Sequence, residues 1–381
     1  MKYLYPCTGK ISAAGFGEYL EENIKESRRN INLFARELSA RFDIPYISLV
    51  NSGSSANLAA SLAMAEKLRK AGKPLVAAIS AFTFPTTVSS LLLAGFRIKM
   101  IDVEQNGFNM DPEKLEESIE GVSLIVPTHF LGFPAGMERI SETAKKHGCL
   151  ILQDACETIE LRDKSGKQYY TYGDITTWSF YHPHHLSSYG GGAVITLNKE
   201  DAMLIDSICH WGRACKCHID PALCTNPPGP GHQFTYERIG ANLEISELNA
   251  CFGRWQFRSF DEYEKRRTDN YAVLYEALKS KKSIQVFPHP SAGGSMFVFP
   301  IKMKSGMTVK EAHKYFSSKG LEIRTLMGGV TNEQKAFSFI SDTIYENAHE
   351  MAEHTFFVGI HQTITTSGIH EMAKIISEFF E

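Results

Sequence analysis

From about residue 30 to residue 250 short apolar, β-branched runs alternate with longer amphipathic stretches, and this alternation restricts the possible folds more than any other feature of the chain. Tyr46-Ile47-Ser48-Leu49-Val50, Leu75-Val76-Ala77-Ala78-Ile79, Ser123-Leu124-Ile125-Val126-Pro127 and Cys149-Leu150-Ile151-Leu152-Gln153 read as strands, and residues 56–70 between the first two read as a helix. Strands that alternate with helices form βαβ units, so the expected core is a mostly parallel sheet. Past residue 250 the pattern changes. A long polar helical pattern over 252–279 leads to the apolar run Met296-Phe297-Val298-Phe299-Pro300-Ile301, a helix over 308–319 and an amphipathic stretch over 369–380. The expectation is an α/β chain with a large domain over 1–250 and a smaller α+β domain over 251–381. A length of 381 residues, 43% of them hydrophobic, suits two such bodies better than one.

Charge and composition exclude some partners. Forty Lys and Arg against 43 Asp and Glu leave a formal charge of −3 with no long basic run, so nucleic-acid binding has no electrostatic footprint. The start, Met1-Lys2-Tyr3-Leu4-Tyr5-Pro6, lacks the apolar core of a signal peptide, and no apolar stretch approaches the ~20 residues a membrane helix needs. The expected setting is cytoplasmic. Eight cysteines there point to metal ligands, catalytic groups or buried thiols rather than disulfides.

Two local patterns carry chemistry. In Val50-Asn51-Ser52-Gly53-Ser54-Ser55-Ala56-Asn57 a strand ends, small residues turn the chain and a helix begins. Free N–H groups and hydroxyls converge at such a helix N-terminus, which suits a phosphate, although Ser52 or Ser54 acting as a simple helix cap is the plainer reading. Asp154 closes an apolar strand, where α/β sheets place ligands; a carboxylate there can hold a pyridinium nitrogen protonated or merely cap a helix. The Ser179-Phe180-Tyr181-His182-Pro183-His184-His185 run and the Gly190-Gly191-Gly192 turn follow in order. By itself the histidine tract reads as a solvated loop or an adventitious metal site.

Taken together, these residues resemble the DegT/DnrJ/EryC1/StrS sugar aminotransferase family along nearly the whole chain, and within it the 3-dehydratases of nucleotide-linked 4-keto-6-deoxy sugars. The resemblance implies the fold-type I architecture of pyridoxal-phosphate-dependent transferases. In that subgroup the Schiff-base lysine is replaced by histidine, and the matching position here is His184. An imidazole moves protons but cannot bind the cofactor covalently as a lysine amine does. The resemblance further implies that Ser54, Ser55 and Ser179 bind the phosphate of pyridoxamine or pyridoxal phosphate, that Phe84 stacks on its ring and that Asp154 pairs with the ring nitrogen. His184 is then the catalytic base. Asn242, in Gly240-Ala241-Asn242-Leu243-Glu244, matches a residue that reaches the neighbouring subunit's phosphate, which implies a homodimer with shared sites. His182 and His185 keep the plain reading.

Cysteine spacing narrows the subtype. Cys215 and Cys217 lie one residue apart, Cys224 follows seven positions later, and Cys156 stands two residues after Asp154. Four thiolates so arranged could hold a 2Fe–2S cluster, and the Trp211-Gly212-Arg213-Ala214-Cys215-Lys216-Cys217 run resembles an iron–sulfur branch of the subgroup that receives electrons from a separate reductase. Zinc on Cys215, Cys217, Cys224 and His218 is a second possibility, and four buried thiols a third. Cys149 and Cys251, in apolar runs, read as core. The chain departs from the family in the turn Tyr189-Gly190-Gly191-Gly192, where relatives have Gly-Glu-Gly-Gly. Val330 likewise takes the place of a customary asparagine.

Overall fold

The computed structural model describes residues 3–9, 11–24, 28–215, 229–290, 294, 296–304 and 306–381. Cys217, Cys224 and His218 lie outside them. Seven strands form the larger sheet: β1 (Tyr46–Val50), β2 (Val76–Ser80), β3 (Arg97–Ile101), β4 (Leu124–Val126), β5 (Leu150–Asp154), β6 (Ile175–Ser179) and β7 (Gly192–Thr196). Their order is β1-β7-β6-β5-β4-β2-β3. The five from β3 to β6 run parallel, with α-helices in the connections from β2 to β5 and only a short 3-10 turn, Tyr169–Tyr172, between β5 and β6, while β7 is antiparallel to both β6 and β1. Ile79, Leu124, Val126, Leu152 and Val194 are buried in the main core. Fully buried residues in succession, rather than alternation, mark strands covered on both faces.

A second sheet of four antiparallel strands, in the order β10-β11-β9-β8, is built from β8 (Ile284–Val286), β9 (Val298–Met303), β10 (Arg324–Thr325) and β11 (Thr355–Gly359). Its own core joins Phe299, Ile301, Phe356 and Val358 to Phe316, Met372 and Ile376. The helix over Val309–Ser318 starts at a capping box, with Thr308 and Glu311 exchanging hydrogen bonds as the Thr-x-x-Glu spacing favours. The N-terminal segment also belongs to this side, for Tyr5 bridges to Leu321 and the Cys7 N–H donates to Glu322 at 2.7 Å.

The helical pattern expected as one element over 252–279 is two helices, Glu247–Phe257 and Phe260–Leu278, broken at Arg258 and Ser259. Each half buries against a different body. The first packs on Arg29–Phe42, where Phe257 meets Phe42 and Arg254 clasps Glu37, and the second packs on Thr366–Phe379. Cys251 is buried as expected, whereas Cys149 is only half-buried and donates its thiol to the Val122 carbonyl at 3.3 Å. Among the described residues no helix is long and apolar enough to cross a membrane.

The turn into β7 needs glycine. Gly190 and Gly191 have φ of 128° and 140°, and a Cβ on Gly191 would collide with the Ser188 hydroxyl and approach Ile245 to 2.9 Å. Gly191→Ala should therefore lower the unfolding free energy by about 1–3 kcal/mol. Gly17→Ala, where a Cβ meets nothing within 4 Å, should leave the urea midpoint unchanged or raise it.

Candidate active site

A cavity of about 720 Å³ opens at the C-terminal ends of the parallel strands, between the two sheets. Ser52, Gly53, Ser54, Phe84, Asp154, Cys156, Ser179 and His184 line it from the large sheet's side, and Cys7, Thr8, His313, Arg324 and Phe357 from the other.

Asp154 ends β5 and is 3% exposed. Its Oδ2 accepts from Asn57 Nδ2 at 3.0 Å and from Thr87 Oγ1 at 2.5 Å, and its Oδ1 from the Cys156 N–H at 3.1 Å. Thr177 Oγ1 donates to Asn57 Oδ1 at 2.6 Å, which fixes the amide so that its NH₂ faces the carboxylate. Among the described residues no Lys or Arg pairs with Asp154. A buried carboxylate held only by neutral donors is suited to a cationic ligand group such as a pyridinium N–H.

The helix Gly53–Lys70 points its N-terminus into the same cavity, capped by Ser52, whose side chain accepts from the Ser55 N–H at 3.0 Å. Ser54 lines the cavity and donates to Thr86 at 2.9 Å. The Ser55 hydroxyl is instead engaged by Asn51 at 2.5 Å and by Ser52 at 2.9 Å, and Ser55 is not among the lining residues. At Gly53 the backbone passes so close to β6 that a Cβ would stand 2.6 Å from Ser179 Cβ, so only glycine fits there, and the free N–H groups of a helix N-terminus suit an anion. Phe84, 48% exposed, stands over the opening.

Of the histidines at 182, 184 and 185 only His184 lines the cavity. Its Nδ1 lies 3.3 Å from the Ser179 carbonyl. A carbonyl only accepts, so Nδ1 carries the proton and Nε2 keeps the lone pair. Loss of hydration pulls the imidazole down to about 4, so the ring is neutral at pH 7. The Phe297 ring stands edge-on to it, with centroids 5.1 Å apart. His182 stacks on Tyr189, and His185 is buried beside Phe297.

The remaining expected residues fall elsewhere. Asn242 is exposed, outside its own chain's cavity, with its backbone bridged to His210. Cys156 is on the cavity wall, its thiol pushed up by burial and by Asp154. Cys215 is buried and is not a lining residue. Among the described residues no group of three or more His, Cys, Asp and Glu side chains is placed to hold a metal. Asn57, Thr87 and Thr177 carried no sequence signal, nor did Glu157, a lining carboxyl that burial pushes up to about 8 and that accepts the Leu131 N–H at 2.6 Å.

Strand order, the carboxylate at the end of β5 and the helix N-terminus at Gly53 define an enzyme of the fold-type I, pyridoxal-phosphate-dependent class. The profile of the DegT/DnrJ/EryC1/StrS aminotransferase family matches residues 7–377, and the chain belongs to that family. It is 30% identical over 373 residues to a dTDP-4-dehydro-2,6-dideoxy-D-glucose 3-dehydratase of Saccharopolyspora spinosa, covering 92% of this chain and 80% of that one. A dTDP-4-amino-4,6-dideoxy-D-glucose transaminase of Shigella dysenteriae is 24% identical, with 90% of this chain and 88% of that one covered. Among solved structures, an Escherichia coli GDP-4-keto-6-deoxy-D-mannose-3-dehydratase with bound hydrated PLP superposes with a TM-score of 0.89 at 20% identity, covering all of both chains, which shows the fold.

Asn57→Leu removes one donor to Asp154 and leaves the Thr177 hydroxyl only its longer bond to the Gln153 carbonyl. It should lower the unfolding free energy by about 1–3 kcal/mol, read from the urea midpoint, and weaken retention of added pyridoxal phosphate on a desalting column.

Proposed function

We propose that this enzyme is a 3-dehydratase of a nucleotide-linked 4-keto-6-deoxy-hexose that uses pyridoxamine or pyridoxal phosphate, with His184 as its base. The observation that carries the reading is a neutral histidine on a cavity wall that, among the described residues, includes no lysine. A transaminase of this class needs a lysine amine there. The 3-dehydratase relative supports the same reading, as does a solved 3-dehydratase of the family with bound GDP-perosamine.

When bound, the cofactor supplies an amine for the substrate's keto carbon and a ring that draws electrons away from it. Asp154 would hold the ring nitrogen protonated, Ser54, Ser179 and the N–H groups of the Gly53 turn would receive the phosphate, and Phe84 would cover the ring. His184, with its Nε2 lone pair free, would be the group on the wall that accepts a proton and returns it to the C3 hydroxyl as that group leaves as water. Asn242 is exposed and does not line its own chain's cavity, and Phe84 and Tyr181 are 48% and 58% exposed beside it, so we propose that a second copy completes each site.

A finer proposal adds a 2Fe–2S cluster on Cys156, Cys215, Cys217 and Cys224, supplied with electrons by an external reductase. The place of Cys156 on the cavity wall supports it, and the steps above do not run through it. The metal-free alternative renews the pyridoxamine form from glutamate. Iron and sulfide analysis of anaerobically purified protein, with its visible spectrum, separates the two: an iron-free, fully active enzyme removes the cluster.

His184→Asn should reduce dehydration by about 10²–10⁴-fold while pyridoxal phosphate binding, read from its absorbance, stays intact. A depressed imidazole pKa places the acid limb low: the wild-type rate should hold from neutral pH downward and fall only as the pH drops through about 4. Undiminished turnover by His184→Asn would reject the assignment.

A further inference from the structure

His184 sits in a loop, and a loop holds a base in register only if something fixes its backbone. Arg267, on the helix Phe260–Leu278, is 1% exposed and reaches that loop. Its Nη2 donates to the Pro183 carbonyl at 2.9 Å and to the His184 carbonyl at 3.2 Å, and its Nη1 to the Phe297 carbonyl at 3.1 Å. One planar guanidinium thus ties together the proline before the histidine, the histidine itself and the residue whose ring packs edge-on against the imidazole. Carbonyl dipoles aimed at the cation make its burial tolerable. Loss of hydration brings the guanidinium down to about 10, well above neutrality, so the charge persists.

We infer that Arg267 is the positioning residue of the histidine loop, holding His184 and Phe297 in mutual register. The inference rests on His184 being the base. Burial is the main cause opposing protonation of that ring; the Ser179 carbonyl favours it, and Arg267 from the helix and His182 from the same loop add smaller opposition, the first more strongly. The neighbouring rings of Tyr181, at 5.9 Å, and Phe297 add no charge. A lysine could supply the charge but cannot offer three carbonyls a rigid planar fork.

The test pairs Arg267→Lys with Arg267→Met in the full-length enzyme. The titration midpoint of His184 is followed by NMR of imidazole-labelled protein, its resonance assigned by difference from His184→Asn, and turnover is measured alongside. Arg267→Met should move the midpoint up, still below the ordinary histidine value because the ring stays buried, and cut turnover about 10²-fold. Arg267→Lys should keep the midpoint and still lose turnover. A folded Arg267→Met protein with the wild-type midpoint and wild-type turnover overturns the inference. Should that variant fail to fold, Arg267→Lys decides: lowered turnover at an unchanged midpoint sustains the inference, and wild-type turnover defeats it. The titration needs no substrate, so an Arg267-dependent midpoint in a protein whose His184→Asn variant still turns over would reject the proposed function and leave the electrostatic role of Arg267 standing.

Discussion

The buried carboxylate of Asp154 is the group around which the large sheet is organised. Removed from water, it must have donors, and these come from three separate segments: Asn57 on the helix after β1, Thr87 on the helix Pro85–Leu93 and the main chain at Cys156. Thr177 of β6 orients the amide from behind. Both helices and both strands must be in register for the set to close, so the parallel sheet and the buried carboxylate in the cavity are specified together. A network of this kind is stable only when complete, because a buried donor or acceptor left over costs more than the bond it would have made.

The other half of the cavity comes from the small sheet and the N-terminal segment. Cys7 and Thr8 are carried there by the pairing of Tyr5 with Leu321, and Arg324 stands on β10 with Glu322 holding its guanidinium at 2.8 Å. The histidine loop lies where the two bodies meet, under Phe297 and against the helix of Arg267. Burial there has a chemical result: an imidazole that would be partly charged at neutral pH in water is held neutral.

Much of this was legible in the chain. The four apolar runs are strands within a residue or two of their expected ends, because β-branched residues bounded by turns have few other uses. The helix expected over 308–319 spans Val309–Ser318. The break at Ser259 was hidden, since polar helical periodicity runs through it unchanged and only the two packing partners distinguish the halves. Ser55 shows the same limit. Its hydroxyl has the right chemistry for a phosphate, but the local turn engages it with Asn51 and Ser52.

By itself, then, the sequence determined the class of fold, the small-residue turn at a helix start, the carboxylate at the strand end and the histidine run after β6, because each is a matter of residue type and order along the chain. Tertiary structure alone decided that Asn57, Thr87 and Thr177 serve Asp154, that His184 rather than His182 or His185 faces the cavity, and that Arg267 reaches the histidine loop from more than 80 residues away. These are common side chains with no motif of their own. Their roles arise from long-range proximity and burial, which set hydrogen-bond partners and charge states and leave no trace in local spacing.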